Sequence, residues 1–212
     1  MLVADMHVHS NHSRDGKSSV REILEAAVRK GLNALAVTDH DTVDGSLEAM
    51  DVVREEHLGI TVIPGVEVST LDGHLLVYGV ERDIDPGMSM PETIEVARKY
   101  RAVTAIAHPF QFYRHGCIRF WIAKKADAIE VFNAKYITGI CNRLSMCLAK
   151  AYGKPGIAGS DAHTAREVGK AVTLIEAVGL SYPQVLKAVT SGKTKVRGRR
   201  QSFSSWPRLM KR

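Results

Sequence analysis

The chain opens on Leu2-Val3-Ala4-Asp5-Met6-His7-Val8-His9, an apolar run that ends in two histidines one residue apart. Leu2–Met6 has the composition of a buried β-strand. Along a strand alternate side chains share a face, so His7 and His9 point into one space at the strand's carboxyl end. The same construction recurs along the chain. Thr38-Asp39-His40-Asp41 follows Ala34–Val37, and Gly65-Val66-Glu67-Val68-Ser69 follows Ile60–Ile63. Gly73-His74 precedes Leu75–Val80, Ala107-His108-Pro109 closes Val103–Ala107, and Gly159-Ser160-Asp161-Ala162-His163 follows Pro155–Ala158. Nitrogen and oxygen donors gathered at the ends of several strands can converge on divalent cations, which points to a metallohydrolase. Glu67 sits in a β-rich stretch where a lone charge would be costly, and bridging two cations offsets that cost. Mixed imidazole and carboxylate donors suit Zn, Mn or Fe(II) better than Mg or Ca. No cysteine is placed to add a soft ligand.

Between these strands lie helical patterns. Ser19 and Glu22 have capping-box spacing, and Ile23, Leu24, Ala27 and Val28 recur at helical intervals toward Gly31. Further helices are expected over Asp44–His57, Pro91–Tyr100, Ile118–Lys125, Tyr136–Tyr152 and Tyr182–Ser191. Additional strands are expected over Leu32–Thr38, Ala128–Phe132 and Ala171–Glu176, and Val66–Val68 is expected to continue the strand of Ile60–Ile63 after Pro64-Gly65. This alternation predicts an α/β fold with a mainly parallel sheet. About seven repeats favour a closed or nearly closed barrel, in which chemistry sits at the carboxyl ends of the strands.

The 212 residues suffice for one domain with a full core, and 45% apolar residues exclude a disordered chain. Apolar runs are too short to cross a bilayer, and the N-terminus passes directly into a strand without the pattern of a signal peptide. Three cysteines (Cys117, Cys141, Cys147) without a CxxC suggest reduced thiols and a cytoplasmic protein. The last twenty residues carry eight of the positive charges and no acid, so without them the net charge is −2 rather than +6. The basic character therefore belongs to a tail. Ser191-Gly192-Lys193-Thr194 ends like a phosphate-binding loop, but Lys187 stands where the first glycine belongs, and no GxSxG elbow is present.

His7-Val8-His9-Ser10-Asn11-His12-Ser13-Arg14-Asp15-Gly16, AVTDHDTVDG, GVEVST, GHLLVYG, AHPF and GSDAH, in that order, resemble the PHP (polymerase and histidinol phosphatase) domain over about Asp5 to Gly198. The resemblance implies a single-domain, distorted (β/α)7 TIM-like barrel over residues 1–198, followed by a basic tail over 199–212. It also implies three divalent ions, Mn, Zn or Fe. By position, the first would be held by His7, His9, Glu67 and Asp161, and the second by Asp15, His40 and His163. The third would share Glu67 and add His74 and His108. His12 could compete with Asp15 for the second site.

The chemistry so implied is phosphate-ester hydrolysis by a metal-bound hydroxide between the first two ions, with the third holding a nonbridging oxygen. Asp15, His40, Glu67, Asp161 and His163 would carry it. Asp39 and Asp41 are either supports for ligand imidazoles or plain loop acids. His12, Arg14, Arg114, His115 and Arg166 lie in the motif loops and are candidate contacts for substrate phosphate. Lys17 is a loop cation of the same kind, and His57, near a helix end, is expected at the surface. A small phosphorylated metabolite or nucleotide is the expected substrate. An exonuclease or a 3′,5′-nucleoside bisphosphate phosphatase is the alternative, although the span from His74 to His108 leaves no room for the large insertion of some bisphosphate-active relatives. A third possibility, of another class, is a nucleic-acid-binding subunit that uses the basic tail with Phe203 and Trp206.

Overall fold

The computed structural model describes residues 1–111, 115–117, 119–136 and 138–200. In chain order the elements are β1 (Leu2–Val8), α1 (Val20–Arg29), β2 (Ala34–Val37), α2 (Asp44–Glu55), β3 (Thr61–Thr70), β4 (Gly73–Tyr78), α3 (Met90–Lys99), β5 (Val103–Ile106), a 3-10 turn (Phe120–Lys124), β6 (Ala128–Asn133), α4 (Gly139–Ala151), β7 (Gly156–Gly159), β8 (Ala171–Ile175), α5 (Tyr182–Thr190) and β9 (Thr194–Gly198). The strands form one sheet in the order β7-β6-β5-β4-β3-β2-β1-β8-β9. The fold is α/β, with a nearly closed, barrel-shaped sheet.

Local sequence sets the helix starts. The Glu22 N–H donates to the Ser19 hydroxyl at 3.3 Å while the Glu22 carboxylate accepts from the Ser19 N–H at 2.8 Å, the reciprocal cap expected there. Ser89 and Glu92 repeat it at α3. Val20, Ile23, Leu24 and Ala27, on one face of α1, are buried against the sheet.

The sheet is less parallel than expected. β1–β2, β2–β3, β5–β6 and β6–β7 are parallel, whereas β3–β4, β4–β5, β1–β8 and β8–β9 are antiparallel. As expected, the segment at 66–68 continues the one at 60–63, and together they form β3. It pairs with β2 as far as Pro64 and with β4 from Gly65 onward. Proline lacks a donor, and it stands where the strand changes partner. β9 was not expected from the sequence. Its Lys195 and Arg197 are exposed, the charged outer face of an edge strand. The segment expected as a helix from Ile118 is the 3-10 turn, with Ile118 itself outside the described residues. α4 begins at Gly139 rather than Tyr136, because Tyr136 is buried and its hydroxyl donates to the Pro109 carbonyl.

Two features turn the strand ends into a site. The β1–β2 register slips between Asp5 and Val8. Ala4 and Met6 pack in the barrel interior with Ala34, Ala36 and Leu76, but Val8 packs outside with α1. The bulge thus turns His7 and His9 inward above Met6. Opposite them, β7 approaches β1 so closely that a Cβ on Gly159 would lie 2.2 Å from the Cβ of His7. Backbone closure there consists of the Asp161 N–H donating to the His7 carbonyl and the His9 N–H donating to the Ala162 carbonyl, both at 2.8 Å. The Thr173 hydroxyl adds a link from β8 to β7 at Ala158.

Candidate metal centre

The nine residues that the resemblance implies as ligands meet in one place. His7 Nε2 lies 3.0 Å from His9 Nε2, and both face Glu67 Oε2, at 3.3 and 3.2 Å. Asp161 Oδ1 completes this group at 3.5 Å from His9 Nε2 and 4.0 Å from His7 Nε2. His163 Nε2 stands 2.8 Å from Asp15 Oδ2, and His40 Nε2 stands 3.9 Å from Asp15 Oδ1. Glu67 Oε1 faces His74 Nδ1 at 3.1 Å and His108 Nε2 at 3.0 Å. Glu67 Oε2 is also 3.3 Å from His40 Nδ1. One carboxylate, 1% exposed, thus turns one oxygen to three imidazoles and the other oxygen to two more.

Each side chain has a local reason for its place. His74 follows Gly73, whose φ of +126° suits glycine and makes the tight β3–β4 hairpin. His108 and Asp161, just past β5 and β7, have φ of +26° and +52°. A non-glycine residue in such a region costs on the order of 1–3 kcal/mol, and here specific bonds hold both. The His108 N–H donates to Glu130 Oε2 at 2.7 Å, and the Asp161 N–H donates to the His7 carbonyl. Glu130 Oε1 meets His7 Nδ1 at 3.1 Å, and the Asn133 amide bridges Glu130 Oε2 and Asp161 Oδ2, each at 3.1 Å. Ser13 Oγ lies 3.3 Å from His9 Nδ1 and accepts from the His40 N–H at 3.0 Å. Below the site, buried Asp5 accepts from the N–H groups of Ser160 at 2.9 Å and Gly169 at 2.7 Å.

The charges of this group are strongly coupled. Burial opposes the His7 imidazolium, but Glu67, Glu130 and Asp161 outweigh it and raise its pKa well above the usual value. His9 is raised as well, burial being outweighed by Asp161 and Glu67. Burial lowers His40 to about 3 and His163 to about 4, so both are neutral donors. Burial resists the Glu67 charge, yet His7, His74, His40 and His108 hold its pKa well below the usual range. Burial pushes Asp5 up to about 6.

Not every expected residue lies where the sequence suggested. Asp39 does not orient an imidazole; its carboxylate accepts from the Ser10 N–H and hydroxyl, both at 2.6 Å. Asp41 likewise binds the Ser69 N–H at 2.6 Å and hydroxyl at 2.8 Å. Both are loop acids that brace strand ends. His12 turns to Glu48 on α2, at 2.6 Å, and leaves the second group to Asp15. Arg14, Lys17 and Arg166 are exposed, as is His57. His115 is exposed too, and its ring stacks on His74 with centroids 5.4 Å apart. Arg114 lies outside the described residues. Two residues escaped the sequence reading. Glu130 carries the same signal as Glu67, an acid inside an apolar strand. Lys135 is 1% exposed, with its ammonium against His163 Nδ1 and 3.4 Å from Asp161 Oδ1.

The donor set fits divalent cations. Asp15 Oδ1 and His40 Nδ1 are buried without a hydrogen bond, and unpartnered buried donors or acceptors cost about 1–3 kcal/mol each unless something else engages them. Four triads have their ligand atoms within 4.8 Å of one another: His9/His40/His163, His7/His108/Asp161, His7/His9/Glu67 and His40/Glu67/His74.

Known proteins resemble this chain in sequence and in fold. The sequence profile of the PHP domain matches residues 5–148, and that of the PHP-associated region matches residues 139–194. An uncharacterized protein of Methanocaldococcus jannaschii is 30% identical over 155 residues, spanning 68% of this chain and 90% of the relative. A phosphoribosyl 1,2-cyclic phosphate 1,2-diphosphodiesterase of Eggerthella lenta is 40% identical over 86 residues, 38% of this chain, and the match spans only 32% of that enzyme. Among solved structures, a two-domain protein of Bacteroides vulgatus containing a predicted PHP-like metal-dependent phosphoesterase superposes with a TM-score of 0.77 at 18% identity, covering 93% of this chain and 65% of the other.

Proposed function

This chain belongs to the PHP domain family, and from that premise we propose that it hydrolyses the phosphate ester of a small metabolite or nucleotide at a centre of three divalent cations, Mn, Zn or Fe. Its reaction class is hydrolysis of phosphoric ester bonds. The observation that carries the proposal is Glu67, whose two oxygens face different sets of imidazoles, as a carboxylate bridging separate cations requires. His7, His9, Glu67 and Asp161 would hold the first ion, Asp15, His40 and His163 the second, and Glu67, His74 and His108 the third. Bound there, such ions supply an ionised water at neutral pH and neutralise charge that builds on phosphoryl oxygens.

The protein's own part is positioning. Glu130 fixes the His7 ring and Ser13 the His9 ring, so the donors are pre-set before substrate arrives. Asp15, Glu67, Asp161, His40 and His163 are the residues we assign to the reaction. Arg14, Arg166 and His115, exposed in the surrounding loops, are candidate contacts for the substrate, as is Arg114. Beside His74, His115 joins Leu71, Arg119 and Phe120 around a cavity of about 560 Å³, space for a nucleoside-sized leaving group. The three free cysteines support a reducing, cytoplasmic setting. No helix among the described residues is long and apolar enough to cross a membrane.

One observation favours a second reading, an oligonucleotide substrate. Lys30, Lys170, Arg197 and Arg199 line a groove of about 560 Å³ on the β8–β9 side, and Arg200 reaches back to the start of α4 at Gly139. A groove of this charge suits a phosphate backbone. The deciding experiment is elemental analysis of the purified protein. It is followed by a screen of phosphorylated metabolites, nucleotides and short oligonucleotides against stripped protein supplied with Mn, Zn or Fe. Turnover of a monophosphate that needs one of these metals supports the first reading. Oligonucleotide cleavage that weakens steeply with salt supports the second. Protein that binds no metal and is not rescued by any removes both.

A further inference from the structure

We propose that the groove between α1 and the β8–β9 edge is a phosphate site in its own right, apart from the metal centre, and that it takes a short chain of linked phosphates. Lys30, Lys170, Arg197 and Arg199 line it over a floor of Val168 and Gly169, around about 560 Å³, and none of the nine candidate metal ligands is among its lining residues. One bank is the sheet edge. Val172 lies across from Arg197, and Ala171 across from Gly198. The Arg199 N–H donates to the Lys170 carbonyl at 2.7 Å, so the ladder runs one residue further and sets Lys170 across from Arg199. Alternate residues share a face, so Arg197 and Arg199 lie on the side of Val172, which packs against α1. The other bank is Lys30, at the end of α1. Its ammonium donates to the carbonyls of Arg166 at 2.9 Å and Val168 at 2.6 Å. An ammonium has three donors, so one is left for a ligand.

The charges of this groove are not balanced from within. Like charges set across a strand pair repel, and Lys170 and Arg199 are such a pair. Among the described residues the only ion pair these four cations make is that of Lys170 with Glu167, at 3.8 Å. Protection of a sheet edge accounts for charge on β9, but not for an ammonium from α1 fixed by two carbonyls on the facing bank. An anion lying between the banks neutralises both. A single phosphate offers too little charge for four cations, whereas linked phosphates offer several, and guanidinium forks match their oxygens. The groove suits such a chain better than a nucleic-acid strand. No aromatic side chain lines it, and single strands are held largely by bases stacking on such rings.

The test uses the full chain stripped of metal, with inorganic tripolyphosphate as the probe. Calorimetry gives the affinity, and 15N amide shifts of the wild type show where the probe sits. We expect binding without any metal, weakening as salt is raised, with the Gly169 and Gly198 amides among those that shift most. The double variant Lys170→Gln, Arg197→Gln should bind about a hundredfold more weakly, roughly tenfold for each charged donor lost. Wild type that binds no tripolyphosphate overturns the proposal, and so does a double variant that binds as tightly as wild type. If the double variant fails to fold, the wild-type shifts decide. Shifts confined to the loops of Arg14 and Arg166 would put the anion at the mouth of the centre and overturn the proposal. A short single-stranded oligonucleotide that binds more tightly than tripolyphosphate and displaces it would also overturn it, by giving the groove to a strand. A protein that takes up no metal yet binds the probe in the groove would remove the reading of the centre and leave this one standing.

Discussion

Glu130 Oε1 lies 3.1 Å from His7 Nδ1, and the other oxygen of the same carboxylate accepts the His108 N–H at 2.7 Å. One acid on β6 thus sets a ring on β1 and a backbone turn after β5. Glu130→Gln cannot do both, because its amide NH2 would face donors on one side. We expect it to weaken metal binding by about 10–100-fold, the usual effect of losing a group that orients a ligand. Metal titration by calorimetry is the check, with wild-type affinity the contrary result.

Removal of ligands themselves should be more severe. His40→Ala or Asp161→Ala should lower kcat/KM by about a thousandfold or more, since one ion in such a centre contributes several kcal/mol to the transition state. Circular dichroism should show the fold retained. Normal turnover in both variants would contradict the assignment of the second and first groups.

Gly159→Ala is a test of geometry alone. The added Cβ would fall 2.2 Å from the His7 Cβ and 2.9 Å from Glu130 Oε1. Either β7 backs away from β1 or His7 moves, and both spread the donors. Metal affinity should fall at least about tenfold, although no donor atom is removed.

Metal uptake should strengthen with rising pH. His7 has a pKa in the folded metal-free chain well above its unfolded value of 6.5: burial opposes the charge, and the acids around it prevail. Its contribution to the stability of the metal-free protein is therefore complete below pH 6.5 and disappears as pH climbs through the raised value. A cation at His7 must displace that proton. As pH rises from 6.5 through the raised value the affinity should rise and proton release on binding should decline, both measurable by calorimetry in buffers of different ionisation enthalpy. His40, lowered to about 3 by burial, has the opposite sign: its contribution is present above pH 6.5 and is lost as pH falls toward 3.

Where the chain is cut should matter by a few residues. A truncation after Gly192 removes β9, whose five residues all pair with β8, and should lower the Tm of the whole barrel. A truncation after Arg200 leaves every described strand in place and should melt like the full chain. If the second also loses affinity for single-stranded RNA, residues 201–212 contribute to binding; unchanged affinity removes the tail from consideration.

Much of this was legible from residue type and position. Histidines and acids directly after apolar runs could be assigned to strand ends, and the strand period placed His7 and His9 together. The β-bulge that makes both face inward was invisible, because it arises from register with β2. Glu130 was passed over although it stands in an apolar strand, since its partner His7 is 123 positions away in sequence. Lys135 was missed because lysine ordinarily lies in water, and nothing local marks one that does not. β9 alternates lysine, valine and arginine, which in isolation looks like a basic tail; only its ladder with β8 makes it a strand. The neighbouring pairs around β4 and β8 run antiparallel, a matter of chain direction that hydrophobic pattern does not encode.

The seam between β7 and β1 gives the ions a further consequence. Few backbone bonds among the described residues cross it, and the close approach at Gly159 leaves no room for a side chain to tie the strands together there. Yet His7 and His9 stand on one bank and Asp161 and His163 on the other. Cations gripped from both banks would act as a buckle, tying the two halves of the hoop together. Occupancy would then govern lifetime as well as turnover. A starved cell would hold a protein that is not merely idle but easier to pry open and degrade.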